Sequence, residues 1–170
     1  MEHVDFDLFA LYEAVEKRRR ERKMSWTSVA RDVNRFRTIR RPITVSTITG
    51  LRTKSVVEGD GILQVLLWLG RTPENFVSNT TNANSERFQL PNLTTGQILR
   101  WDTHALFLAL NAQRLQRQLT WSEVARELKG FTPGMLTNLA KGGRIGFPRV
   151  MRLAQWLGRP AVVFTRIADW

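Results

Sequence analysis

The side chains whose type and spacing could do chemistry in this sequence are cations. Arg31–Arg41 reads RDVNRFRTIRR, with five arginines and one acid, and Lys17–Lys23 reads KRRRERK. A guanidinium presents a planar fork of N–H donors that matches phosphate oxygens and suits a narrow DNA minor groove. Arg35, Arg37, Arg40 and Arg41 are therefore candidate phosphate contacts, as a clamp or a minor-groove arm. A plain solvated surface loop is the competing reading. Lys17–Lys23 serves in part as a helix end, where cations gain a few tenths of a kcal/mol from the dipole, but its density exceeds that need.

Catalytic groups are scarce. The chain has two histidines, His3 and His104, and no cysteine. No glycine-rich phosphate loop precedes a helix and no HExxH occurs. The carboxylate pairs Asp5/Asp7 and Glu13/Glu16 read as ordinary helix charge. The expectation is a binding protein without cofactor, metal or small-molecule ligand, and not an enzyme. A net charge of +11 and a pI near 11.4 in 170 residues point to a polyanion, either nucleic acid or an anionic membrane. No apolar run reaches the ~18 residues needed to cross a bilayer, and Met1–Asp7 is too acidic for a signal peptide. A cytoplasmic, nucleoid-associated protein is expected.

The elements that would position these cations are short helices. Leu119–Gly142 reads LTWSEVARELKGFTPGMLTNLAKG. Thr120 and Glu123 form a capping-box pattern, and Val124, Ala125 and Leu128 fall on one face at helical spacing. Lys129-Gly130-Phe131 breaks the helix. Thr132-Pro133 caps a second one, Leu136 and Leu139 continue the apolar face, and Gly142 ends it. Two helices joined by about 3–4 residues form the helix-turn-helix pattern.

That pattern occurs twice. Phe6–Asn34 laid over Trp101–Lys129 gives ten identities in 29 positions, among them Arg19/Arg114, Trp26/Trp121, Val29/Val124 and Ala30/Ala125. Beyond a break, Thr44, Leu51, Trp68, Leu69, Gly70, Arg71 and Phe76 meet Thr132, Leu139, Trp156, Leu157, Gly158, Arg159 and Phe164. The offset falls from 95 to 88, so the first repeat carries seven extra residues around Arg35–Arg41, where its turn should be. The expected organisation is a first domain over 1–77, a polar linker over 78–97 and a second domain over 98–170. Each has a third helix (Thr44–Arg52 in the first), a fourth through Ile62–Leu69 or Pro148–Leu157, and a short fifth from Thr72 or Pro160. The protein is expected to be all-α.

Five short helices with the second and third as the helix-turn-helix resemble the Cro/C1-type (XRE, lambda-repressor-like) DNA-binding domain. The motif reads Arg114…Leu119-Thr120…Val124-Ala125, then Thr132…Leu139-Ala-Lys-Gly142; in the first repeat it is Arg19…Met24-Ser25…Val29-Ala30, then Thr44…Leu51-Arg-Thr-Lys54. The resemblance covers both repeats and excludes the linker. It implies double-stranded DNA as partner, with the third helix in the major groove and a phosphate at the start of the second. The implied base readers are Val45, Ser46, Thr47, Thr49 and Gly50, then Met135, Thr137 and Asn138, while Pro133-Gly134 offers little to read. Asn138 to adenine is the strongest pairing. Implied phosphate contacts are Arg19, Arg114, Arg52, Lys54, Lys141 and Arg144. Arg19 and Arg114 lack the family's glutamate partner because Arg52 and Ala140 stand in its place. Trp26 and Trp121 fall where the family places a phosphate-binding polar residue; core packing is the competing role.

The function this implies is a bacterial or phage transcriptional regulator, a repressor by family analogy, covering two half-sites through a flexible linker, with a homodimer left open. The competing expectations are a low-specificity nucleoid-like or mobile-element accessory protein, and a chain in which one repeat serves protein interaction or dimerisation.

Overall fold

Side-chain caps open the first three helices of each half. The structure is a computed structural model that describes residues 6–38, 41–54, 57, 59–77 and 88–170. Asp7 accepts from the Ala10 N–H (2.9 Å) and opens α1, Leu8–Glu21; Ser25 accepts from Ser28 (3.1 Å) and opens α2, Trp26–Val33; Thr44 accepts from Thr47 (3.2 Å) and opens α3, Val45–Thr49. A 3-10 turn, Gly50–Arg52, follows directly, then α4, Gly59–Leu69, and a 3-10 turn, Pro73–Phe76. The second half repeats each step. Asp102 caps α5, Thr103–Gln116; Thr120 caps α6, Trp121–Leu128; Thr132 caps α7, Pro133–Asn138. A 3-10 turn, Leu139–Lys141, precedes α8, Phe147–Leu157, and Ala161–Phe164 is the last turn. Even the left-handed residues recur: Lys23 (φ 52°) with Gln118 (φ 55°), and Gly70 with Gly158 (both φ 63°). The helix starts, their caps and these left-handed residues keep the offset of 95 or 88, while the 3-10 turn after the third helix begins one residue later in the second half. No helix among the described residues is long and apolar enough to cross a membrane.

The molecule is mostly helical but not all-α. β1, Gln97–Trp101, pairs antiparallel with β2, Thr165–Asp169, so that Trp101 faces Thr165. The residues at the matching places in the first repeat, Phe6 and Val77, form an isolated antiparallel bridge. In each repeat the N-cap aspartate donates its backbone N–H to the last turn: Asp7 to Phe76 at 2.9 Å, Asp102 to Phe164 at 2.6 Å. The expected fifth helices are therefore corrected to 3-10 turns, of which the second runs straight into a strand. The third helices are shorter than expected, five and six residues before they tighten. Strand pairing between residues so far apart in sequence leaves no local period from which to read it.

The halves meet across a reciprocal interface. Gly59 donates its N–H to the Ile145 carbonyl (3.1 Å), and Phe147 donates to the Val57 carbonyl (3.0 Å). Under the offset of 88, Gly59 corresponds to Phe147 and Val57 to Ile145, so these are one contact made twice. That reciprocity is the mark of a two-fold relation. Side chains fill it by complementary sizes. Phe6 packs on Phe147 (ring centroids 4.2 Å); at the corresponding pair, Trp101 lies on Gly59, where an added Cβ would stand 2.5 Å from its Cδ1. The outer edge of β1 is closed by α4: Gln64 donates to the Leu99 carbonyl (2.7 Å), and Asp60 accepts from the Trp101 N–H (3.0 Å). Glu74 accepts from the Ala161 N–H (2.5 Å) at the last turn of the other repeat. One apolar cluster runs through both halves, from Leu11, Val29 and Ile48 to Leu106, Val124 and Leu136.

The expectation of two bodies held only by a flexible tether is corrected accordingly. Residues 78–87 of the linker lie outside the described residues. The rest is built into the fold: Leu93 is buried, Gly96 donates to the Phe36 carbonyl (2.6 Å) and accepts from Trp170 (2.7 Å), and Gln97 begins β1.

Candidate nucleic-acid interface

The residues singled out in the two repeats build the same local device. Arg19 reaches across the turn between α1 and α2, bonds the Met24 carbonyl (3.0 Å), and lies over the Trp26 ring at 4.9 Å. Arg114 bonds the Leu119 carbonyl (2.9 Å) and lies over Trp121, also at 4.9 Å. Each indole stacks in turn on a ring of the first helix, Tyr12 at 5.9 Å or Phe107 at 5.6 Å. Each arginine is also held by a side chain of its own helix, in place of the family's glutamate on the third helix. Glu16 holds Arg19 bidentately (2.7 and 2.8 Å), and Asn111 Oδ1 accepts twice from Arg114 (3.1 and 2.8 Å). Those partners were missed because they lie three residues upstream on the same helix, whereas the family pattern points to the third helix. Glu16 also accepts from Arg20 (2.6 Å). Its hydrogen bonds to Arg19 and then Arg20 outweigh the opposing burial and hold its carboxyl down at about 2. Both indole rings are half-buried in this packing, and neither Nε1 has a hydrogen-bond partner among the described residues.

The proposed readers divide into those tied to their own backbone and those that are not. Val45 packs against the core. Ser46 and Thr47 share hydrogen bonds with the Thr44 hydroxyl (2.8 and 2.9 Å), and Thr49 donates to the Val45 carbonyl (3.0 Å). Gly50 begins the tightened turn, where the Lys54 side chain lies over it. Thr137 donates back to the Pro133 and Gly134 carbonyls (both 3.2 Å), and Met135 is half-buried. Asn138 is exposed, and its amide has no partner among the described residues. It is the one reader with both bidentate geometry and freedom to use it. Arg52, Lys54, Lys141 and Arg144 are all exposed near the ends of the short third helices.

The enlarged turn of the first repeat is anchored rather than loose at its described ends. Asn34, unnoticed in the sequence, closes its base: its amide donates to the Ala30 and Ile43 carbonyls (both 2.7 Å) and its oxygen accepts from the Ile43 N–H (2.8 Å). Phe36 packs against the core, and Arg35 lies over its ring at 4.6 Å while bonding the Asp32 carbonyl (3.2 Å). Arg37 and Arg41 are exposed; Arg40 lies outside the described residues.

Charge separates the two helix pairs. Residues 19–54 hold eleven Lys/Arg against two acids, net +9, while 114–144 hold six against two, net +4. The starts of α2 and α6 differ as well. At α6, Glu123 completes the capping box, accepting from the Thr120 N–H (2.7 Å) and hydroxyl (2.9 Å); these bonds keep its carboxyl below the usual range. At α2 the corresponding residue is Ser28, which accepts from Arg31 (2.9 Å), and the first turn contains no acid. An anion is therefore favoured at the positive end of α2 and opposed at that of α6. Further along α6, Glu127 ties up Arg117 (2.8 Å, bidentate) and the Trp156 indole (2.8 Å). No family model, curated protein or solved structure was found to match this chain.

Proposed function

We propose that this chain is a sequence-specific double-stranded DNA-binding transcriptional regulator of the Cro/C1 type, acting as a repressor by occupying its site. The observation that carries the reading is the α2–α3 pair: two capped helices at the register repeated by α6–α7, an acid-free helix start, an arginine-rich segment between them in sequence, and an exposed Ser46. Phosphates would be met by Arg35, Arg37, Arg41, Arg52 and Lys54, with the Trp26 indole N–H at the start of α2. Bases would be met by Ser46 and Thr47 in the first repeat and by Asn138 in the second. Arg19 and Arg114 position the tryptophans rather than bind phosphate themselves.

Selection from a random duplex pool at near-physiological salt tests this. The expected result is a bipartite motif, one half relaxed by Ser46→Ala/Thr47→Ala and the other by Asn138→Ala. Tight binding with no motif would remove sequence specificity. A second reading, a low-specificity binder driven by arginine, draws support from one observation: most reader hydroxyls already bond within their own helix. Its signature is steep salt dependence without sequence preference.

A further inference from the structure

The reciprocal bonds between the repeats constrain what kind of DNA site the chain can cover. The inference rests on the DNA-binding reading above and adds the architecture of the site. Gly59 to Ile145 and Phe147 to Val57 are the same contact made in both directions, which holds when one repeat is turned by about half a revolution onto the other. The linker does not set this relation, because the cluster around Phe6, Phe147, Trp101 and Gly59 does. Two helix pairs related this way meet a duplex in opposite polarities.

Chain length limits the spacing. Val57 lies five residues beyond Arg52, the end of the first 3-10 turn, and Ile145 lies four beyond Lys141. At roughly 3.4 Å per residue those connections span at most about 17 and 14 Å. Val57 is paired with Phe147 and Ile145 with Gly59, so the crossing from Val57 to Ile145 is a diagonal of about 9 Å, and the two recognition segments end no more than about 40 Å apart. Adding about 8 Å of helix on each side keeps their centres within roughly 56 Å. One turn of B-DNA is about 34 Å, so half-sites two turns apart, about 68 Å, are out of reach.

We propose that a single chain occupies an interrupted inverted repeat with half-sites one helical turn apart, at a spacing locked by the interface between α4 and α8. The half-sites differ in sequence because the readers differ: hydroxyls in one repeat, Asn138 in the other. The chain thus does the work of a symmetric dimer on an asymmetric site.

The test uses the full chain and duplexes built from the two selected half-motifs. They are arranged inverted or direct, and at the selected spacing or lengthened by about 5 or about 10 base pairs, half a turn and a full turn. Binding is followed by fluorescence anisotropy, and stoichiometry by native mass spectrometry. The expected result is preference for the inverted arrangement, one chain per duplex, and a loss of about a hundredfold for both insertions. A preference for direct repeats, tolerance of the full-turn insertion, or two chains on one bipartite site would overturn the inference and leave DNA binding standing. Failure to bind any duplex in a sequence-dependent way would remove the DNA-binding reading and this inference with it.

Discussion

The two repeats hold the same arginine on the same tryptophan by different means. In the first, the carboxylate of Glu16 neutralises Arg19; in the second, the neutral amide of Asn111 does the holding and leaves the charge of Arg114 in place. The helix starts reverse that pattern: α2 is free of acid, whereas α6 carries Glu123. The turns differ again, eleven residues closed by Asn34 against a short break at Lys129, whose φ is +49°. Duplication has thus kept the geometry of each capped pair and redistributed its charge. The first repeat concentrates cations around its third helix. The second offers fewer cations there but an exposed amide with no partner among the described residues, Asn138.

The comparison breaks most severely at the joint between the halves. Gly59→Ala would put a methyl 2.5 Å from Trp101 Cδ1 and 2.7 Å from the Ile145 carbonyl. The expected cost is about 1–3 kcal/mol, seen as a lower urea midpoint, and partly recovered when Trp101→Phe is added. An unchanged midpoint would mean that Trp101 does not fill the Gly59 space.

The next largest effect is electrostatic. Arg35→Ala/Arg37→Ala should weaken duplex binding about tenfold or more and lower the slope of log affinity against log salt by about 2. Lys129→Ala/Lys141→Ala in the second repeat should change both by less. Equal effects would dissolve the asymmetry between the repeats. The helix starts can also be exchanged. Ser28→Glu should complete a capping box and stabilise α2 by about 0.5–1 kcal/mol while lowering DNA affinity several-fold, and Glu123→Ser should do the opposite. If affinity ignores both changes, no phosphate meets these helix ends.

Glu16 makes the first repeat acid-sensitive in a way that Asn111 cannot. Its folded value of about 2 lies below that of the unfolded chain, so its contribution is complete above the ordinary carboxylate range and is lost as pH falls toward 2. Thermal melts across that window should be shallower in pH for Glu16→Gln than for the parent. The last effect concerns the indoles. Trp156 donates to Glu127, but the buried Trp68 N–H has no hydrogen-bond partner among the described residues, and Asp32 stands where Glu127 does, one methylene shorter. Asp32→Glu should add about 1 kcal/mol of stability, read as a raised melting temperature. The Trp68 fluorescence should shift if the new bond forms.

Much of this was legible because it is local. Capping depends on residues three apart, so Asp7, Ser25, Thr44 and their counterparts identify every helix start in the two pairs. Duplication then identifies the register, down to the seven-residue insertion. The candidate arginines of the turn were visible as a charge run. What could not be read was which groups were already occupied. Nothing in the motif shows that Arg19 is held by Glu16, that Thr49 bonds its own helix, or that Asn34 pins the enlarged turn.

The sequence alone therefore determined the helices, their caps and their repetition, because each rests on interactions within a turn or two of the chain. The tertiary structure decided the rest. The strands pair across more than sixty residues. The tryptophan clamps require two helices to cross. The relation between the repeats depends on how Gly59 and Trp101 answer Phe147 and Phe6 in size. Such complementarity exists only when distant residues meet, and no spacing along the chain encodes it.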